Sequence, residues 1–237
     1  MFKGLFLSAA VLIGLAGLAD RGLAALAGNA VGEAIARSEG LSDEPDVTFH
    51  GFPFLTQAAR GRYDEVDVEA RDVRLSELSF AVVTADLRGI EVSIGDALSG
   101  EVTAVPLTSG TATVELTYAD LNAYLDSRPG SPRASASGDG QLLVRSSVGV
   151  PGRGSVPVEG TGSATVGRDG IVVKVASVRA QSGAALPAAV AGSAAGRLSF
   201  TIPTAGLPFG ITVREVAVER NGLRFGATAQ GMVIRAR

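Results

Sequence analysis

Few side chains in this sequence have the type and spacing for covalent chemistry, and most of them fall between positions 46 and 69. The single histidine, His50, could serve as a general base if a carboxylate oriented it and a nucleophile stood within reach. Asp46 lies four residues away, with the same parity on a regular strand, but no nucleophile is identifiable nearby. His50 therefore reads as a structural residue capping the turn at Gly51. Asp64 and Glu65, followed by Asp67 and Glu69, could supply the paired carboxylates of a glycosidase. The alternation with Val66, Val68 and Ala70 accounts for Asp67 and Glu69 more simply, as the wet face of a half-buried strand. Ser163, in Gly160-Thr161-Gly162-Ser163-Ala164, lacks the Gly-x-Ser-x-Gly elbow and falls in mid-strand. The glycines after Val158 open no helix, so they are not a dinucleotide fingerprint.

Composition narrows the chemistry further. The chain has no cysteine, which removes disulfides and thiolate-held metals, and one histidine cannot build a His-rich metal site. No tryptophan is present and aromatic residues make up 5%, so base-stacking platforms for nucleic acid are not favoured. The expectation is a chain with no catalytic residues, no metal, no cofactor and no nucleic-acid partner. Its 46% hydrophobic content is enough for a sizeable core.

The elements that would position these residues follow from periodicity. Gly4 to Ala19 is an uninterrupted apolar run of sixteen residues between Lys3 and Asp20-Arg21. Its place and length fit a signal-peptide core or a short membrane anchor, with Lys3 on the inner side. Leu23 to Leu41 has helical spacing, with Gly40 as its stop and Pro45 beyond. Asp46 to Phe49 alternates as a strand, Gly51 and Pro53 turn the chain, and Phe54 to Ala59 predicts a short helix ended by Gly61. A long alternating strand follows, and its parity changes between Ala70 and Val73, which predicts a bulge. Ser79 to Val83, Ile90 to Ile94, Val102 to Leu107 and Thr111 to Thr117 read as separate strands. Thr117 reads as the N-cap of a short helix reaching about Asp126. Gly130 to Gly140 reads as either a loop or a domain midpoint. Leu142 to Val150, Ser155 to Val166 and Ile171 to Ala180 read as a meander with a hairpin turn at Asp169-Gly170. Ala184 to Ala195 reads as a helix with Pro187 in its first turn. Leu198 to Ile202, Ile211 to Glu219 and Leu223 to Arg235 close the chain, the last two joined by Asn221-Gly222.

One stretch is recognisable. Pro45 to Val68, PDVTFHGFPFLTQAARGRYDEVDV, resembles the signature of the LmeA-like family of actinobacterial lipomannan-elongation factors. Asp96 to Gly100, Tyr118 to Asn122, Leu186 to Val190, Arg197 to Pro203 and Gly206 to Gly210 agree in order. The resemblance runs from about Asp20 to the C-terminus. It implies an extracytoplasmic, membrane-attached protein that binds phospholipid and influences lipid-linked mannan, with no defined catalytic residues to carry over.

The fold expected is α+β, a strongly curved antiparallel sheet wrapped around one or two helices, resembling by analogy the tubular lipid-binding (TULIP-like) modules. Residues 1–19 would be the signal peptide or anchor, 20–42 a helical connector and 43–237 the lipid-binding domain. Apolar groups of the signature stretch, Phe49, Phe52, Phe54 and Leu55, are the candidate acyl-chain contacts of an apolar groove. Charge is uneven: residues 1–120 hold 18 acidic and 8 basic groups, −10, and residues 121–237 hold 6 and 13, +7. Solvated faces explain this, and so does a basic end for anionic phospholipid, where each arginine adds about 1 kcal/mol. Arg145 and Arg153, flanking Pro151-Gly152, are the candidate head-group contacts. The function expected is non-enzymatic phospholipid binding in the cell envelope. The rival readings are a scaffold or partner of a membrane glycosyltransferase and a hydrolase of envelope lipids.

Overall fold

The computed structural model describes residues 2–75, 77–99, 104–150, 154–204 and 212–235. Helix α1 (Phe2–Glu39) carries the apolar N-terminal run into the helical stretch after it without a break. Gly40, at φ 66, ends it, and the Leu41 amide donates to the Ala36 carbonyl at 3.0 Å, the long bond of a Schellman stop. Among the described residues no helix is long and apolar enough to cross a membrane. Strand β1 (Asp46–Phe49), helix α2 (Phe54–Arg60) and strand β2 (Arg62–Leu75) follow, with Gly61 at φ 62 as the C-cap of α2. In β2, Val66, Val68 and Ala70 are buried, and burial resumes at Val73. Asp72, at φ 48, takes up the extra residue, which is the expected parity slip.

Next come β3 (Leu78–Glu91), α3 (Ile94–Ser99), β4 (Ala104–Thr117) and α4 (Tyr118–Asp126). Two of the expected breaks are absent, because the strand pairs read around Gly89 and Gly110 form single fourteen-residue strands. These glycines permit close approach within a strand. A Cβ on Gly89 would lie 2.3 Å from the Thr108 hydroxyl, and one on Gly110 would lie 3.1 Å from Leu87. Ile94 belongs to α3, whose start is held by the Gly95 amide donating to the Ser93 hydroxyl at 3.2 Å. Thr117 caps α4 as expected, accepting from the Asp120 amide at 3.1 Å.

The remaining elements are β5 (Arg133–Gly138), β6 (Gln141–Val150), β7 (Gly154–Val166), β8 (Gly170–Ala180), α5 (Ala188–Leu198), β9 (Phe200–Pro203), β10 (Glu215–Val218) and β11 (Gly222–Arg235). β5 lies inside the stretch read as a loop or a domain midpoint. Its sequence, Arg-Ala-Ser-Ala-Ser-Gly, has low strand propensity, yet it serves as an edge strand that pairs only with β6. Pro187 is the N-cap of α5 and not part of its first turn. Asp169-Gly170 and Asn221-Gly222 do make hairpin turns, closed by Gly167 N–H to Gly170 O and Glu219 N–H to Gly222 O, both at 2.8 Å.

The strands form two open antiparallel sheets, ordered β1-β2-β3-β4-β11-β10 and β5-β6-β7-β8-β9. The α+β class holds, but two sheets replace the single curved one. The chain forms two compact units, Met1–Arg71 with Thr84–Ala112 and Thr228–Arg237, and Asp72–Val83 with Thr113–Ala227. In the first, α1 lies on β1 through Gly28 and Gly32, whose added Cβ atoms would meet the Val47 and Pro45 carbonyl oxygens at 2.1 and 2.3 Å. In the second, α4 and α5 cover the five-stranded sheet. Leu121, Leu125, Leu142, Val144, Ile171, Leu198 and Ile202 are almost wholly excluded from solvent there.

Candidate functional site

Two places merit description, one in each unit. In the first unit the turn at Gly51 is fixed by polar side chains. Gln57, buried on α2, donates to the His50 carbonyl at 3.0 Å and accepts from the Asp64 amide at 2.8 Å, joining both sides of the turn. Asp20 of α1 is 4% exposed and accepts from the Phe54 and Leu55 amides at 2.9 and 3.0 Å. A helix start has unpaired N–H groups and partial positive charge, so a carboxylate from another element caps α2 well. Burial alone would push the Asp20 carboxyl up. The Leu55 and Phe54 amides and the Arg21 guanidinium outweigh it and hold the carboxyl below its ordinary value. Arg21 also donates to the Gly51 carbonyl and stands 6.0 Å from the centre of the Phe52 ring. Neither Asp20 nor Gln57 was recognised in the sequence as a site residue. Asp20 read only as the end of the apolar run.

The four apolar candidates separate. Phe49 and Phe54 are buried, their rings 5.3 Å apart and clustered with Tyr63 at 5.0 and 6.3 Å. Burial raises the Tyr63 phenol above its ordinary pKa, and its hydroxyl has no hydrogen-bond partner among the described residues. Phe52 and Leu55 instead point to solvent, 65% and 53% exposed. Leu18, Leu23 and Leu26 on α1 are exposed as well, so five of the eight large exposed hydrophobic residues described belong to α1, α2 and the turn before it.

Several charged groups of this unit form ion pairs. His50 Nε2 is 2.7 Å from Asp67 Oδ2, a different carboxylate from the one its strand parity suggested. Glu65 pairs with Arg88 at 3.2 Å and Glu69 with Arg71 at 2.7 Å. Among the described residues no group of three histidine or carboxylate side chains could hold a metal.

In the second unit Arg145 lies on β6 and ion-pairs with Glu159 at 3.4 Å, while Arg179 takes the other Glu159 oxygen at 2.8 Å. The hydrogen bond from Arg179 holds the Glu159 carboxyl below its ordinary value, against burial and with help from Arg145. Arg153 lies outside the described residues. Two other arginines, at the C-terminal ends of α4 and α5, line a cavity of about 360 Å³. Arg128 lies 4.9 Å from the centre of the Tyr124 ring and donates to the Tyr124 hydroxyl, which is 3.5 Å from the Thr201 carbonyl. Arg197 is exposed. Val148, Leu198 and Phe200 supply apolar lining, with Ser147 beside them, and among the described residues no carboxylate lines the cavity. Sequence reading missed this pair because the two residues lie 69 positions apart and belong to no motif.

No curated protein and no solved structure matches the chain. The model of one family, LmeA-like phospholipid-binding, matches residues 18–228, a span that includes both places just described. With nearly the whole chain matched, this protein belongs to the LmeA-like phospholipid-binding family.

Proposed function

We propose that the protein is a non-enzymatic phospholipid-binding protein of the cell envelope, and that it meets lipid through the exposed apolar residues of its first unit. The observation that carries this is Phe52 on the turn and Leu55 at the start of α2, both held outward by a corner that Gln57, Asp20 and Arg21 fix. Full burial of a Leu or Phe side chain contributes about 1.5–3 kcal/mol. Phe52 and Leu55 alone therefore supply about 4 kcal/mol, equivalent to a Kd near 1 mM. Leu18, Leu23 and Leu26 on the neighbouring helix are needed to bring contact into the micromolar range. Arg21 can bury its stem beside them while its charge stays at head-group level. The N-terminal run and the family resemblance support a location outside the cytoplasm, attachment through residues 1–19 and service to lipoglycan synthesis as parts of this reading. The analogy to tubular lipid-binding modules finds support in antiparallel strands covered by helices.

The chain contains no tryptophan, so Phe52→Trp introduces a single tryptophan, excited selectively over the tyrosines, at the proposed contact. With vesicles of phosphatidylcholine and phosphatidylglycerol its emission should shift to the blue, and brominated acyl chains should quench it. Emission that ignores the vesicles would overturn this reading. Lipid retained by the purified protein in native mass spectrometry separates lipid binding from a scaffold role, and turnover of a labelled lipid separates it from hydrolysis.

A further inference from the structure

We infer that the cavity between the ends of α4 and α5 is a phosphate-binding site for the head group of an anionic phospholipid, with Arg128 and Arg197 as its cationic contacts. Choosing a lipid phosphate over a free one rests on the reading above; the anion site itself does not. Four of the arginines described on this unit's strands are less free. Arg145 and Arg179 share Glu159, Arg133 pairs with Asp126, and Arg224 pairs with Glu219. Among the described residues Arg128 and Arg197 have no carboxylate partner, and no acidic side chain lines the space beside them.

Arg128 is positioned without being neutralised. Its contacts are the face and hydroxyl of Tyr124, a neutral residue that is itself buried. A guanidinium carries five donors, so one bond to tyrosine leaves the others for a ligand, and the planar fork suits two phosphate oxygens. The local field favours an anion despite the two helix ends. Each C-terminus contributes about half a negative charge. Two arginines outweigh them, leaving about one net positive charge.

The lining also speaks to the source of the phosphate. Phe200, half-buried, offers apolar surface next to the guanidiniums, while Val148 and Leu198 line the cavity with little of their own surface exposed. An inorganic phosphate has nothing to place there, whereas a phospholipid has its glycerol carbons and the first methylenes of its chains. The volume of about 360 Å³ lies at the lower end for ligand pockets. It fits a head group and the start of the chains, not two whole acyl chains.

The test titrates the full chain, by calorimetry, with three probes: dihexanoyl phosphatidylglycerol below its micelle concentration, glycerol 3-phosphate and dihexanoylglycerol. The wild type should bind the phosphatidylglycerol at least about tenfold more tightly than the phosphate-free diglyceride, a difference of ~1.4 kcal/mol. Arg128→Gln with Arg197→Gln should erase that preference, and raised salt should reduce it. Arg197→Gln alone, at an exposed residue with no carboxylate partner, should remove about half of it on a logarithmic scale. That variant keeps the test decisive if the loss of Arg128 from Tyr124 impairs folding. Equal binding of the two lipids by the wild type, or an unchanged preference in folded Arg197→Gln and double variants, would overturn the inference. Glycerol 3-phosphate bound as tightly as the lipid would overturn the lipid assignment. If the Phe52→Trp chain enters vesicles while the arginine variants keep full preference, the cavity proposal fails and the first reading stands.

Discussion

At the Asp20 corner of the first unit one charged group turns inward and two apolar groups turn outward. Asp20 is buried on the amides of Phe54 and Leu55, and Phe52 and Leu55 face solvent. In the cavity of the second unit the arrangement is reversed, with Val148, Leu198 and Phe200 as lining and two guanidiniums that, among the described residues, have no carboxylate partner. A buried charge must have its hydrogen bonds met inside the protein, so Asp20 works for the fold. An exposed charge needs no partner, so Arg128 and Arg197 remain available. The contrast teaches that neither hydrophobicity nor charge marks a binding group. What marks it is a side chain whose needs the fold leaves unmet.

The comparison breaks most readily where the corner is built. Gly51 takes φ 84, and a Cβ there would lie 2.7 Å from Gln57 Nε2 and 3.0 Å from Asp64 Oδ2. Gly51→Val should cost about 1–3 kcal/mol from the backbone alone, with further loss as Gln57 is displaced. Urea denaturation measures it, and a midpoint equal to wild type would show that the turn does not hold the corner. Gly28→Ala and Gly22→Ala sharpen the point within one helix. The first forces a methyl against the Val47 carbonyl, at about 1–3 kcal/mol, and the second meets nothing within 4 Å and should gain up to about 1 kcal/mol.

These positions show what could and could not be seen in the sequence. Thr117 as a cap, Gly61 as a helix end, and Asp169-Gly170 and Asn221-Gly222 as hairpins were readable, because each acts on its own few neighbours. The slip at Asp72 was readable too, since it shifts the parity of β2. Gly28 and Gly32 carry no local signal, because their reason is the backbone of Val47 and Pro45, thirteen or more residues on. Asp20 and its amides are 34 and 35 residues apart, and Arg128 and Arg197 are further still. Phe49 and Phe52 share a residue type and a stretch of sequence, and only tertiary packing makes one core and the other surface.

Asp20 also gives the corner a pH signature. Its carboxyl titrates below the ordinary aspartate value of about 4, because the folded state favours the ionised form. Its contribution is therefore complete above the unfolded-state pKa and is lost as pH falls through the lower folded-state value. Asp20→Asn should lower the melting temperature at neutral pH, and the gap to wild type should narrow below about pH 4. A gap of constant size from pH 7 to pH 3 would show that ionisation of Asp20 is not what holds α2.

Arg145→Gln probes the other side of the contrast with a smaller effect. Arg145 shares Glu159 with Arg179, which retains its own bond at 2.8 Å, so stability should change by less than about 1 kcal/mol. As its charge is already offset, the preference for anionic lipid should fall less than in Arg197→Gln. The reverse order in lipid titrations would move the head-group contact from the cavity to the face of β6.

The smallest effect is expected at the residue with the most suggestive chemistry. His50 has a carboxylate 2.7 Å from its Nε2, half of what a general base requires. The other half is a nucleophile, and the surroundings assign His50 to the turn instead. Its amide donates to the Glu65 carbonyl at 2.9 Å and its carbonyl accepts from Gln57, bonds that alanine keeps because they use the main chain. The side-chain pair with Asp67 is 41% exposed on both sides, where such pairs contribute about 0–1 kcal/mol. His50→Ala should thus melt within a few degrees of wild type, and it should bind phosphatidylglycerol with unchanged affinity and salt dependence. Thermal denaturation and the same calorimetric titration check both halves. A folded His50→Ala that no longer binds lipid would make the histidine part of the site, and one that binds lipid but loses turnover of it would restore the hydrolase reading.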